Sequence, residues 1–194
     1  MNYEQYMNLF SEILHSEDRK APYDDKDFYD YAKLNFSRSN RWQKTMQLDE
    51  NLLKMTNSIT EAQHWIIITE PWCGDAAHSL PFLVRIAENS PLISYEIQLR
   101  DTEPMLIDQY LTNGTRSIPK LIARNAQGED LFIWGARPAA AQKLMDDGKA
   151  AGRSFDDLKT ELQNWYNQDK GKSIQEELKK LLKRFTTGVQ QATV

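Results

Sequence analysis

The sequence predicts an α/β fold in which a central mixed sheet is flanked by helices and extended by further helices at both ends. Residues 64–69 form a continuous run that is β-branched from Ile66 to Thr69, which is typical of a buried central strand. From there the patterns follow as strand, helix, strand, helix, strand, hairpin and strand, which requires at least one βαβ crossover. The length of 194 residues allows one domain with extensions.

The N-terminal residues show helical periodicity. Apolar side chains at three- and four-residue steps predict one helix over residues 3–14. A second helix is predicted over about 27–44, after an acidic turn, and a third over 49–57. In the second helix, four apolar residues are expected to be buried in part: Phe28, Tyr31, Leu34 and Phe36.

The middle of the sequence alternates between helix and strand patterns. A helix follows the first strand, and Pro81 inside its pattern is expected to kink it. Residues 94–99 alternate in polarity and predict a second strand. A helix is predicted over 104–111, and Asn113 and Gly114 are expected to close it as a left-handed cap.

The last third begins with a hairpin and ends in helices. Strands are predicted over 119–123 and 131–134, because the turn between them is rich in Asn and Gly. Three helices are predicted after the hairpin: 139–150, 155–166 and a last one with Ser173 as N-cap. In the second, Phe155 belongs to the apolar face, and in the last, Glu176 would complete a capping box.

These patterns divide the chain into three parts of one domain. Residues 1–60 are predicted to be an N-terminal helical extension, 61–150 an α/β core, and 151–194 a C-terminal helical extension. The polar segment 186–194 is expected to fray.

Composition argues against several function classes. The chain has 24 basic and 28 acidic residues, so its net charge of −4 disfavours binding to nucleic acid or to anionic membranes. The longest strongly apolar run, 65–68, is far shorter than a membrane helix, and the first residues do not resemble a signal peptide. The three histidines are scattered without metal-ligand spacing, so no metal or cofactor is expected. His78 is expected on a helix surface.

Cys73 is the single cysteine of the chain, which excludes an intramolecular disulfide and a cysteine-based structural zinc site. A reducing, cytoplasmic setting is therefore expected. Cys73 lies between the buried strand and the next helix, where the helix N-terminus favours the thiolate, while Asp75 opposes it. We expect a thiol pKa modestly below that of a free cysteine; the alternative is a small buried apolar residue.

Four landmarks follow one another in and after the cysteine segment: Trp72-Cys73-Gly74, then Pro81, then Ile118-Pro119 before a strand, and Trp134-Gly135-Ala136 after the last strand. In this order and spacing they resemble the thioredoxin superfamily over residues 61–150. The chain is similar to bacterial thioredoxin-like proteins with a Trp-Cys-Gly-Asp motif. The resemblance implies a thioredoxin-like fold with extra helices, and a cis Ile118–Pro119 bond that faces Cys73.

The departures from thioredoxin are as informative as the matches. Ala76 stands where thioredoxins have the second, resolving cysteine, so ordinary dithiol reduction is excluded. Ile67 replaces their buried acid. Single-cysteine glutaredoxins have a lysine shortly before the cysteine for glutathione, whereas this chain has Glu70-Pro71-Trp72 there.

Two functions follow from this resemblance. The first is a single-cysteine thiol–disulfide oxidoreductase, in which the nucleophile Cys73 forms a mixed disulfide with a protein or a low-molecular-weight thiol. Its substrate would contact five further residues: Trp72, Gly74, Asp75, Ile118 and Pro119. The second is a non-catalytic binding module or redox sensor. Arg116 and Arg137 lie either at the groove edge or on solvated loops. The sequence leaves the substrate, the reductant and the oligomeric state open.

Overall fold

The computed structural model describes residues 1–186 and contains a four-stranded mixed sheet. Its strands are β1 (Gln63–Thr69), β2 (Ile93–Leu99), β3 (Lys120–Asn125) and β4 (Asp130–Gly135), in the order β2-β1-β3-β4. β1 pairs with β2 in parallel, while β1–β3 and β3–β4 are antiparallel. The mixed sheet and the hairpin that the sequence predicts are confirmed.

Seven α-helices surround this sheet within the described residues. They are α1 (Tyr3–His15), α2 (Lys26–Thr45), α3 (Glu50–Asn57), α4 (Gly74–Glu88), α5 (Ala139–Ala150), α6 (Phe155–Asp169) and α7 (Lys172–Leu182). α4 connects β1 to β2 as the predicted βαβ crossover, with Pro81 inside it. None of these helices is long and apolar enough to cross a membrane.

The terminal helices share one apolar core with the sheet. Phe10 of α1, Leu52 of α3 and Leu178 of α7 belong to the same buried cluster as Trp65 of β1 and Leu83 of α4. α4 is therefore covered on the side away from the sheet, and most of its side chains are buried. This burial fixes the first turn of α4, which follows Cys73.

The helix predicted over 104–111 is wrong. The chain forms only a short 3₁₀ turn, Leu106–Gln109, because Met105 adopts a left-handed backbone conformation that interrupts a helix. Asn113 and Gly114 also have positive φ, but they form a turn that closes a bridge between neighbouring threonines rather than a helix cap.

The predicted apolar face of α2 is wrong as well. Phe28, Tyr31 and Leu34 are 38%, 36% and 46% exposed, and only Phe36 packs partly against the core. The buried residues of this helix are Ala32, Asn35, Ser39 and Trp42. Phe28 and Tyr31 precede them on the same helical face, at the end of α2 that lines a pocket rather than the core.

Two predictions for the C-terminal helices are wrong, and a third concerns residues that the structure mostly does not describe. Phe155 is 64% exposed rather than part of the core. The capping box is absent: α7 begins after Gly171, and the Ser173 hydroxyl donates to Asp169. Thr186 forms an isolated bridge with Ile59, and the rest of the segment predicted to fray, 187–194, lies outside the described residues.

Candidate functional site

Cys73 lies at the carboxyl end of the central strand, as the N-cap residue of α4. Its side chain is 8% exposed, and its thiol donates a hydrogen bond to the Ile118 carbonyl, with 3.4 Å between Sγ and oxygen. The Ile118–Pro119 peptide bond is cis and precedes β3. The structure therefore brings Cys73 and Ile118 into contact, although 45 positions separate them.

The environment of Cys73 favours the thiol over the thiolate. Burial raises the pKa of Cys73 to about 12, and the charge of Asp75 acts in the same direction. The backbone N–H groups of Asp75 and Ala76 and the charge of Arg137 oppose this rise but are outweighed. The expectation of a depressed pKa is wrong, because desolvation exceeds the effect of the helix N-terminus.

Asp75 is itself buried and fully paired. Its Oδ2 accepts from Arg137 Nη2 at 2.6 Å, and its Oδ1 accepts from the Tyr166 hydroxyl at 2.6 Å. Burial raises the pKa of Asp75, while Arg137 and Tyr166 favour the charged form. These two hydrogen bonds connect the first turn of α4 to Tyr166 on α6 and to Arg137 in the loop after β4.

His78 lies one turn beyond, and its expected place on the helix surface is wrong. The ring is buried and stacks on Tyr166 with centroids 4.4 Å apart. Nδ1 accepts from Trp42 Nε1 at 2.9 Å, so Nε2 carries the proton and donates to Gln163 Oε1 at 3.0 Å. Burial lowers the pKa of His78 to about 3, so the ring is neutral at physiological pH. It orders α2, α4 and α6 and has no free basic nitrogen.

Glu70 is a buried acid that the sequence interpretation missed. It follows β1 directly, and its Oε1 accepts from the backbone N–H of Asp101 at 3.0 Å. Burial raises its pKa from the ordinary 4.5 to about 7, against the effect of that hydrogen bond. The signal was available, because a charged residue directly after a buried strand lies at the sheet end where sites form.

The raised pKa of Glu70 predicts how stability depends on pH. The folded protein binds the Glu70 proton more tightly than the unfolded chain does, and this adds to the free energy of unfolding. The contribution is complete below pH 4.5, decreases as the pH rises to about 7, and is absent above that. Glu70→Gln should therefore raise the free energy of unfolding at pH 8 by up to about 3 kcal/mol. Urea unfolding at pH 4.5 and 8 measures this. An equal effect of the substitution at both pH values would contradict it.

Helix α2 holds the segment before Cys73. The Asn35 side chain is fully buried and its Nδ2 donates to the Pro71 carbonyl at 3.0 Å. Arg38 Nη1 donates in turn to Asn35 Oδ1 at 2.9 Å and lies beside Gly74. The N-terminal helix thus contacts the loop that positions the thiol.

A pocket of about 580 Å³ opens above the thiol. Five of the six residues predicted for the site line it: Trp72, Cys73, Gly74, Asp75 and Ile118. Pro119 is buried and does not line the pocket. Arg116 and Arg137 are both at the pocket, paired with Asp108 and Asp75 respectively.

Two helices that flank the sheet, α2 and α6, form the walls of the pocket. α2 contributes Phe28 and Tyr31, and α6 contributes Phe155 and Leu162. Phe28 packs edge-on against Trp72, with ring centroids 5.6 Å apart. The sequence interpretation had assigned the aromatic residues of α2 and Phe155 to the core. Their apolar character was visible, but the face that they occupy depends on where α4 packs.

The described residues contain no group of three or more His, Cys, Asp or Glu side chains arranged to hold a metal ion. The groups that line the pocket are one protonated thiol, aromatic surfaces, guanidinium and ammonium groups, two carboxylates, and neutral polar side chains.

Comparisons with known proteins agree with this architecture. A family model described as thioredoxin matches residues 23–151. No curated protein matches the chain. An HIV epitope scaffold has a similar structure, with TM-score 0.57 and 14% identity over 95% of this chain and 99% of the scaffold. A protein of unknown function from Pseudomonas aeruginosa has TM-score 0.51 and 15% identity over 86% of this chain and 96% of its own. At these identities, the two structures show the fold alone.

Proposed function

The chain belongs to the thioredoxin family, and on that premise we propose that it is a thioredoxin-fold binding protein whose pocket holds a small ligand above Cys73. In the resting protein the thiol of Cys73 is protonated and forms part of the pocket floor. Ala76, at the position of the resolving cysteine, is buried in the first turn of α4, in the same apolar cluster as Cys73. We place the protein in a reducing, cytoplasmic setting because its one cysteine is a free thiol.

The observation that carries this proposal is the pocket built by α2 and α6 over the cysteine. Its volume of about 580 Å³ lies within the range of about 300–1,000 Å³ that is typical of small-molecule sites. Aromatic rings line it, as is usual for such sites, together with charged and polar side chains. A protein substrate that docks as an extended strand would need an open groove, whereas here two helices flank the thiol.

A second candidate function is thiol–disulfide exchange with a small disulfide, and the position of Cys73 at the pocket favours it. The Cys73 thiol would lose its proton, its sulfur would attack one sulfur of the disulfide, and the other half would leave as a thiol. An external thiol would then release the bound half. The raised pKa of Cys73 opposes the first of these steps, so binding ranks ahead of exchange.

Binding of a neutral fluorescent probe, N-phenyl-1-naphthylamine, tests the pocket. We expect saturable binding at one site per chain. Leu162→Trp places a larger side chain in the pocket and should weaken binding at least about tenfold. Leu34→Trp is the matched control, because Leu34 is exposed on α2 and does not line the pocket. Equal binding by both variants, or binding that does not saturate, would contradict the proposal.

Turnover of hydroxyethyl disulfide by dithiothreitol separates the two candidates. The binding function predicts that the protein adds nothing to the uncatalysed rate and that Cys73→Ser behaves like the wild type. A rate above background that Cys73→Ser abolishes would favour exchange instead.

A further inference from the structure

We propose that the ligand of this pocket is a small organic anion, a carboxylate or phosphate ester on an apolar body, whose charge is bound by Arg38 beside the first turn of α4. This inference rests on the proposed binding function and specifies the class of ligand. It follows from the charges of the residues that line the pocket, from a buried donor that lacks an acceptor, and from the aromatic surface of the pocket.

The charge of the pocket is opposite in sign to that of the protein. Two acidic side chains line it, Asp27 and Asp75, against five basic ones: Arg38, Arg100, Arg116, Arg137 and Lys159. The whole chain has a net charge of −4. The lining is therefore richer in basic side chains than the chain as a whole, and an anion is attracted by those that lack an acidic partner.

Most of these cations already have an acidic partner. Arg100 pairs with Asp101 at 2.7 Å and Arg116 with Asp108 at 2.6 Å. Lys159 pairs with Asp156 and Arg137 with Asp75. Arg38 is the exception: among residues 1–186 it makes no salt bridge, and its side-chain hydrogen bond goes to the amide oxygen of Asn35.

Arg38, which has no acidic partner among the described residues, also lies next to the N-terminus of α4. Its Nη1 lies 3.7 Å from where a Cβ would stand on Gly74, the first residue of α4, so the guanidinium is next to the positive end of that helix. Burial and the charge of Arg41 lower the pKa of Arg38, in keeping with an uncompensated cation. An anion in the pocket would compensate both charges at once.

One further donor near the site lacks an acceptor. α4 itself begins without a carboxylate or hydroxyl cap, and the N–H groups of Asp75 and Ala76 in its first turn are directed at the Cys73 sulfur. Arg137 Nε is buried and has no hydrogen-bond partner among the described residues. A carboxylate or a phosphate presents several acceptor oxygens and fits the guanidinium donors of Arg38 and Arg137.

The apolar body of the ligand follows from the rest of the lining. Phe28, Trp72 and Phe155 contribute aromatic surface to the pocket. A free inorganic anion would leave this surface exposed to water, whereas an anion attached to an aromatic or aliphatic body would cover it.

A matched pair of probes isolates the contribution of the anion. 8-Anilinonaphthalene-1-sulfonate has the skeleton of N-phenyl-1-naphthylamine with an added sulfonate. We expect the sulfonated probe to bind the wild type at least about tenfold more tightly than the neutral one. Arg38→Gln should remove this preference but still bind the neutral probe saturably, which also reports that the variant folds. Equal affinities for the two probes in the wild type would overturn the inference but leave the binding function intact.

Two control variants separate a specific contact from general charge. Arg38→Lys keeps the positive charge and should retain most of the preference. Arg41→Gln removes a cation one turn away on α2 that does not line the pocket, and it should leave the preference unchanged. A loss of preference in Arg41→Gln equal to that in Arg38→Gln would overturn the assignment to Arg38.

Competition distinguishes the two anionic groups. 1-Naphthoate and 1-naphthyl phosphate are each titrated against the bound sulfonated probe, with neutral 1-naphthamide as the reference. Displacement by either anion at a concentration at least about tenfold below that of the amide supports the inference, and the stronger competitor identifies the preferred group. Displacement by all three at similar concentrations would overturn it.

Discussion

Replacement of Asp75 by asparagine is expected to increase the rate at which iodoacetamide alkylates Cys73 at pH 8 by at least about tenfold. The Asp75 charge is the second cause, after burial, of the raised thiol pKa. Asparagine removes that charge but leaves the Arg137 cation beside the sulfur, so the pKa should fall. One unit of pKa changes the thiolate fraction about tenfold when the thiol is mostly protonated. Asparagine can still accept the hydrogen bond from Tyr166.

Mass spectrometry of samples quenched over time measures this rate, and Asp27→Asn is the matched control. Asp27 also lines the pocket but is not among the groups that shift the Cys73 pKa, so its replacement should change the rate little. The pH profile of the rate separates electrostatics from local opening: removal of the Asp75 charge lowers the midpoint but leaves it above that of a free cysteine, because burial persists, whereas opening exposes the thiol and gives a midpoint of about 8.5. An Asp75→Asn rate equal to that of wild type would contradict the assigned role.

Gly135→Ala is expected to cost about 3 kcal/mol or more of unfolding free energy. A Cβ at this position would lie 2.2 Å from the Pro119 carbonyl oxygen, and Gly135 has a φ of +126° that other residues rarely adopt. Since Pro119 follows Ile118, whose carbonyl accepts the Cys73 hydrogen bond, the backbone that moves to relieve the clash belongs to the site.

Gly128→Ala separates backbone strain from the clash. Gly128 also has positive φ, +82°, but no atom lies within 4 Å of its added Cβ. That substitution should cost only about 1 kcal/mol. Urea unfolding of both variants tests the comparison. Equal destabilisation would show that the clash between the added Cβ of residue 135 and the Pro119 carbonyl oxygen does not add to the cost of positive φ.

The strands and the cysteine loop could be predicted from sequence because their signals are local. Residues 66–69 are β-branched throughout, and the hairpin turn is marked by Asn125 and Gly128. The landmarks around Cys73 and Ile118 then indicated a thioredoxin-like arrangement before any contact between them was known. Such signals depend on neighbouring residues and on spacing, which a sequence contains.

The pocket could not be predicted, because its walls depend on tertiary packing. The apolar residues of α2 suggested a core face, yet Asn35 is the fully buried residue, with its amide nitrogen donating to the Pro71 carbonyl. Phe28, two turns earlier on the same face, lines the pocket instead of the core. The Cys73 pKa was misjudged for the same reason: a helix start is visible in sequence, whereas the depth of burial that outweighs it is not.

The pH dependence of Cys73 alkylation in the wild type tests most directly whether this thiol is a protonated part of a binding pocket. Iodoacetamide modification is followed from pH 6 to 11, with N-acetylcysteine as the reference thiol and Cys73→Ser as the blank. A pKa of about 12 predicts a rate that still rises at the highest pH, without a plateau. A midpoint at or below about 8.5, the value of a free cysteine, would contradict the account and identify Cys73 as an activated nucleophile.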